Sequence, residues 1–197
     1  MRSMAGMSKN RMEAFSDGVL AIIITIMVLE FSAPESAELS ALAPLLPKFA
    51  SYVLSFVFLG IYWGNHHHLL HAAKVVDGRV LWANLHLLFW LSLVPFATDW
   101  LDGSQLDPHP VAVYGVVLLG AAVAYFLLAR SLIKLHGNDS LLATSLGRDR
   151  KGMASVAAYA VAIPLAFAAP TASCALYLAV ALLWLIPDRR IAQRLRS

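Results

Sequence analysis

Apolar residues fall in six runs along the chain, at about 12–31, 44–70, 80–100, 110–135, 152–169 and 171–187. Each comes close to the roughly 20 helical residues that cross a bilayer. The pattern predicts an all-α polytopic membrane protein with six transmembrane helices. The whole chain, 1–197, reads as one domain, because no hydrophilic block is long enough to fold separately. The last division is the least marked. One apolar stretch continues from Met153 to Ile186, too long for a single span. A tight hairpin at Ala169–Pro170–Thr171 resolves it, since proline ends helices. Pro164 reads as a kink tolerated within its helix.

Composition agrees with the pattern. The chain is 59% hydrophobic and 14% charged, where a soluble domain carries about 25% charged residues. Its mean hydropathy is +0.69. The first apolar run is too long for a signal peptide and is expected to be a retained helix. The one cysteine, Cys174, excludes an internal disulfide and a multi-cysteine metal site.

The net charge of +3 would raise the question of nucleic acid in a soluble protein. Here it reports topology. Lys and Arg lie at positions 2, 9 and 11, at 74 and 79, at 130, 134, 148, 150 and 151, and at 189, 190, 194 and 196, with Lys48 the exception. Those groups are the N-terminus, the second and fourth loops and the C-terminus. The positive-inside rule puts them all in the cytoplasm, and six spans return the chain to the side it started from. A lipid bilayer is the expected surrounding, and no nucleic-acid partner is expected.

The first span, RMEAFSDGVLAIIITIMVLE, carries an acid, Asp17, at membrane depth, and such a charge is a functional-site hypothesis by default. Arg11, Phe15, Gly18, Ile22, Thr25 and Leu29 step by four and three and therefore share one helical face. Asp17 lies about 140° around the helix from Ile22, and Ser16 about 120° around on the other side. Neither points where the stripe points. The stripe suits ordinary helix packing, especially at Gly18 and Thr25, or one wall of an ion pathway. Asp17 suits either a structural pair or a direct part in transport.

The second span ends with Tyr62, Trp63, Asn65, His66, His67, His68 and His71, and the third begins with Trp82, Asn84 and His86. At about 1.5 Å of rise per residue, Asp17, His66 and Asn84 fall in one layer of the inner half of the membrane. Polar groups need partners in lipid. The expectation is one network, with the Asp17 carboxylate and Ser16 hydroxyl bonded to histidine and asparagine from helices two and three. The His67/His71 and His68/His71 spacings also admit a metal ion. A proton relay from Asp17 to His66 or His67 is a further alternative. Trp63, Trp82, Trp90 and Trp100 read as interfacial or packing residues. Helices four to six, mostly Ala, Leu and Val, read as scaffold facing lipid. Motifs for a nucleophile, a phosphate loop or a cofactor do not occur, so an enzyme has no support.

Arg11-x-x-x-Phe15-Ser16-Asp17-Gly18 resembles the R-x-x-x-F-S-D signature of the transmembrane protein 175 family, the lysosomal and endosomal potassium channels and their prokaryotic single-repeat relatives. The likeness continues through AIIITIMVLE, Tyr62-Trp63-Gly64-Asn65-His66-His67, Leu81-Trp82-Ala83-Asn84 and Leu91-Ser92-Leu93-Val94-Pro95-Phe96-Ala97-Thr98. It covers helices one to three; the remaining three agree in number and length. The resemblance implies a homotetramer in the plasma membrane of a prokaryotic cell. Its central pore would be lined by the first helix, and potassium would pass with weak preference over sodium. It implies no cofactor, potassium ions being the permeant species, and a channel without a T-V-G-Y-G filter, a stretch this chain also lacks. Carried over by position, the hydrophobic gate falls on Ile22, the hydroxyl layer on Thr25 and the next apolar ring on Leu29, with Gly18 and Ile26 supporting that face. Arg11, Phe15, Ser16, Asp17, Trp63, Asn65, His66, His67 and Asn84 would form the network that holds the helices together. His68, an extra histidine beside the motif, leaves open which histidine takes part. The alternative is a proton-coupled or metal secondary transporter using Asp17 and the helix-two histidines.

Overall fold

The computed structural model describes residues 8–137 and 150–185. Among them every regular element is helical. The order is α1 (Lys9–Leu29), a 3-10 helix (Leu39–Leu45), α2 (Leu46–Ala72), α3 (Gly78–Ser92), α4 (Val94–Gly103), α5 (Pro108–His136), α6 (Arg150–Leu165) and α7 (Pro170–Leu185). Four rods are long and apolar enough to cross a membrane: α1, the 3-10 helix with α2, α3 with α4, and α5. The last two helices are shorter but apolar. The basic residues at 2, 148, 189, 190, 194 and 196, and the end of the sixth expected run, lie outside the described residues.

Local chemistry sets the helix ends. The Ser8 side chain caps α1 by accepting from the Arg11 N–H at 3.4 Å. Asp77 caps α3 through the Val80 N–H at 2.9 Å. Asp107 caps α5 through the His109 N–H at 3.0 Å, and that bond holds its carboxyl below the ordinary value. Pro108 then occupies the first turn of α5, where its missing N–H costs nothing. Gly137, at φ +89°, ends α5 with a conformation that side chains rarely adopt.

Prolines move three boundaries away from where hydropathy alone puts them. The second rod opens with 3-10 geometry around Pro44, and Pro47 stands in the first turn of α2. The third apolar run is two helices rather than one, broken at Leu93, with Pro95 in the first turn of α4. Proline lacks the N–H that would continue the ladder. The Leu93 N–H instead closes a tighter turn on Trp90. The final hairpin lies earlier than Ala169–Pro170–Thr171. α6 ends at Leu165, one residue after Pro164, the turn runs through 166–169, and Pro170 begins α7.

The fourth apolar run is not a lipid-facing scaffold. α5 is the central pillar of the bundle, packed on α3, α4, α6 and α7. Val111, Tyr114, Leu118, Ala121, Leu128 and Leu132 are all buried along it. Two of its glycines let neighbours close in: a Cβ at Gly120 would overlap the Trp90 ring, and one at Gly115 would overlap the Tyr177 hydroxyl. α1 stands on the opposite side and packs on α2, α3 and α4.

Candidate functional site

α1 has two unlike faces. Met12, Ser16, Leu20, Ile23 and Met27 recur at three- and four-residue steps and are buried against the bundle. Phe15, Gly18, Ile22, Thr25, Ile26 and Leu29 occupy the other face and are exposed, Ile22 at 59% and Leu29 at 77%. The stripe read from periodicity therefore turns away from its own bundle. A groove of about 530 Å³ runs beside it, lined by Ile22, Ile26, Glu30, Pro95, Phe96 and Asp99 among others.

Thr25 is the polar point of that face. Its hydroxyl donates back to the Ala21 and Ile22 carbonyls, at 2.9 and 3.0 Å. A hydroxyl has one proton and two acceptor lone pairs. With the proton engaged in the helix, Thr25 presents acceptor oxygen to the open side, which is the polarity a cation binds.

The buried face is held by a short chain of hydrogen bonds. Asn84 Nδ2 donates to Ser16 Oγ at 2.9 Å, and Ser16 Oγ donates to the Met12 carbonyl at 2.8 Å. Asn84 Oδ1 lies 2.7 Å from His66 Nε2. Since the Asn84 amide is spent on Ser16, its carbonyl accepts, and His66 carries the proton on Nε2. Ser16, His66 and Asn84 are all at most 1% exposed. One side chain from each of α1, α2 and α3 thus meets in a buried layer, and His66 rather than His67 or His68 joins it.

The network expected as one unit is divided into separate pieces. Among the described residues Asp17 makes no hydrogen bond to histidine or asparagine. Its Oδ1 accepts from Trp63 Nε1 at 3.0 Å, in an exposed position. The reason is rotational: Asp17 follows Ser16 by about 100°, so both cannot aim at Asn84. His67 Nδ1 faces Glu13 at 3.4 Å and stacks on Trp63 and His71. Asn65 accepts from Tyr125 Oη through its backbone carbonyl, at 3.3 Å. Arg11 and Phe15 stand on the exposed face with the stripe, apart from the buried layer. Among the described residues no group of three or more His, Cys, Asp or Glu is arranged to hold a metal ion.

Sequence reading missed several participants. Lys9 donates to the Ala73 carbonyl at 3.0 Å, placing a cation at the C-terminal end of α2. His136 accepts from the Lys74 and Val75 N–H groups, at 2.9 and 3.3 Å, and ties that loop to α5. A second buried polar layer joins Ser55 Oγ to Thr98 Oγ1 at 2.7 Å and to Tyr114 Oη at 2.9 Å. The available signal was lone hydroxyls inside apolar runs, which need partners in lipid.

Comparison with known proteins places this arrangement. The family profile described as endosomal/lysosomal potassium channel TMEM175 matches residues 11–95, the stretch that holds α1 and the His66–Asn84 bond. A protein from Chryseobacterium sp. (strain P1-3), named a potassium channel, is 49% identical over 191 residues, covering 97% of this chain and all of that one. The mouse endosomal/lysosomal proton channel TMEM175 is 31% identical over 84% of this chain, which spans 37% of the mouse protein. The crystal structure of a lysosomal potassium-selective channel TMEM175 homologue from Chamaesiphon minutus superposes with a TM-score of 0.77 at 27% identity, covering 90% of this chain and 96% of that one. With its signature residues, its helical membrane fold and a full-length relative at this identity, the chain belongs to the TMEM175 family of ion channels.

Proposed function

We propose that the chain is one subunit of a homotetrameric potassium channel, weakly selective over sodium, in the plasma membrane with both termini cytoplasmic. In this reading four copies of the open α1 face surround the pore. Ile22 forms the narrow hydrophobic ring, Thr25 the hydroxyl layer, and Leu29 the next apolar ring, with Gly18 and Ile26 beside them. The observation that carries the reading is the open Thr25 oxygen, set between Ile22 and Leu29 on a face that turns away from its own bundle. The names of the Chryseobacterium and Chamaesiphon relatives support potassium as the permeant ion.

A narrow apolar ring gates by dewetting. A small rotation or spread of α1 admits water, and Thr25 oxygens then replace part of a cation's hydration shell. Single hydroxyl rings bind less strongly than a cage of carbonyls, so discrimination between potassium and sodium is modest. Ser16, His66 and Asn84 serve as the anchor against which α1 moves.

The test is ion flux from purified protein in liposomes under a potassium gradient. A channel gives flux that follows the Nernst potential, and Ile22→Asn raises its basal level. Saturable flux that needs a counter-substrate would favour a proton-coupled or metal transporter acting through Asp17 and the histidines.

A further inference from the structure

We propose that Glu30 is a fixed charge at the outer mouth of the pore, one that concentrates potassium there and raises conductance without binding the ion. The inference rests on the channel reading above and adds to it a determinant of ion throughput. Glu30 follows α1 directly and is exposed. Ile22, Ile26 and Glu30 step by four residues along one wall of the groove beside the open face. The carboxylate thus continues the side of α1 that bears the hydrophobic ring. It stands about 12 Å beyond Ile22 and about 7.5 Å beyond Thr25 along the helix axis.

Local structure gives no reason for an acid at this position. The last carbonyls of a helix present partial negative charge, so a cation suits that end and an acid opposes the dipole. The last turn of α1 holds no basic residue. The lysine beside it, Lys48, lines a small cavity with Glu30, Asp99 and Asp102. Its ammonium is taken by Asp99 at 3.1 Å and sits 5.8 Å from the Phe31 ring centroid. Among the described residues Glu30 makes no ion pair. The segments outside the described residues all attach at the other end of the bundle, about 30 Å away along α1. There Lys9 meets the Ala73 carbonyl, His136 the Lys74 N–H and Lys151 the Leu183 carbonyl. Among the described residues no three acids are arranged to chelate a metal ion. Charge without a chelating geometry draws cations in and releases them, as conduction requires. Screening sets its reach: the Debye length is about 8 Å at 0.15 M salt and about 3 Å at 1 M. Glu30 therefore acts on ions approaching the Thr25 layer in ordinary salt and is screened from them at 1 M.

The experiment records single channels from the purified full-length protein in planar bilayers, at about 20 mM and about 1 M potassium chloride, where screening is weak and strong. At the polarity that drives potassium in through the Glu30 mouth, E30Q should lower unitary conductance about twofold in the dilute salt and by under about a tenth at 1 M. E30D keeps the native conductance, and E30K falls below E30Q. Thermal unfolding of E30Q in detergent matches that of the native protein or lies above it, since the charge opposing the helix dipole is gone. A conductance unchanged in E30Q in dilute salt overturns the proposal. So does a loss of the same size at both salt concentrations, which reports a change of shape rather than charge. An E30Q that unfolds at a lower temperature than the native protein makes Glu30 a structural residue and also overturns it. A native protein without unitary current overturns the channel reading itself, and this proposal with it.

Discussion

Neighbouring residues on α1 differ sharply in what they contribute. Ser16 is fully buried and bonded to Asn84, whereas Asp17, one position on, is only half-buried and accepts from Trp63. A buried polar group left without its partner costs about 1–3 kcal/mol. Asn84→Ala strands the His66 Nε2–H and removes the donor to Ser16, whose own proton stays on the Met12 carbonyl. It should lower folding stability by about 2–4 kcal/mol on that basis, read as thermal unfolding in detergent. Asp17→Ala should cost well under half of that. Equal losses from the two substitutions would move the anchor from Asn84 to the acid. On the open face, Thr25→Val removes the acceptor oxygen while keeping the shape. Bi-ionic reversal potentials should then show a smaller preference for potassium over sodium, with the assembly intact. Periodicity alone distinguished these faces, because a 100° step separates adjacent side chains whatever the fold. Which polar group meets which was not legible. Asp17, as the only charge well inside the span, drew attention that the geometry gives to the uncharged Ser16.

At the scale of elements, the spans were legible and their breaks were not. Hydropathy finds the third run at 80–100, but it does not register the turn at Leu93, because Pro95 removes one N–H without interrupting the apolar pattern. The same blindness set the last hairpin too late, since Pro170 starts a helix as readily as it ends one. Packing also escaped the one-dimensional view. α5 reads as featureless Leu, Ala and Val, yet it is the pillar on which four helices close. Gly120→Ala should therefore destabilise the fold by about 1–3 kcal/mol, the usual cost of overpacking, because its Cβ meets the Trp90 ring. Gly60→Ala, in the interior of α2 with nothing within 4 Å of its Cβ, should be neutral or stabilising by up to about 1 kcal/mol through helix propensity. Thermal unfolding of the two variants side by side checks the contrast.

For the whole molecule, the anchored and open faces of α1 take on meaning together. A bundle that fixes its first helix through Ser16, Asn84 and His66 leaves Ile22, Thr25 and Leu29 turned outward. A closed ring of subunits would bring those faces around one axis. Chemical crosslinking of the purified protein should give a ladder that stops at four chains. Family membership and the membrane fold were legible in the first three helices, where the motifs lie. The assembly is not written in one chain's hydropathy, since lipid and a neighbouring subunit ask for the same apolar surface.

The most direct test is single-channel recording from purified protein in planar bilayers, with unequal potassium on the two sides. Unitary currents should reverse near the potassium Nernst potential, with a higher open probability in Ile22→Asn. Folded tetramers that give no unitary current, or an Ile22→Asn variant indistinguishable from the native protein, would contradict the proposed pore and its gate.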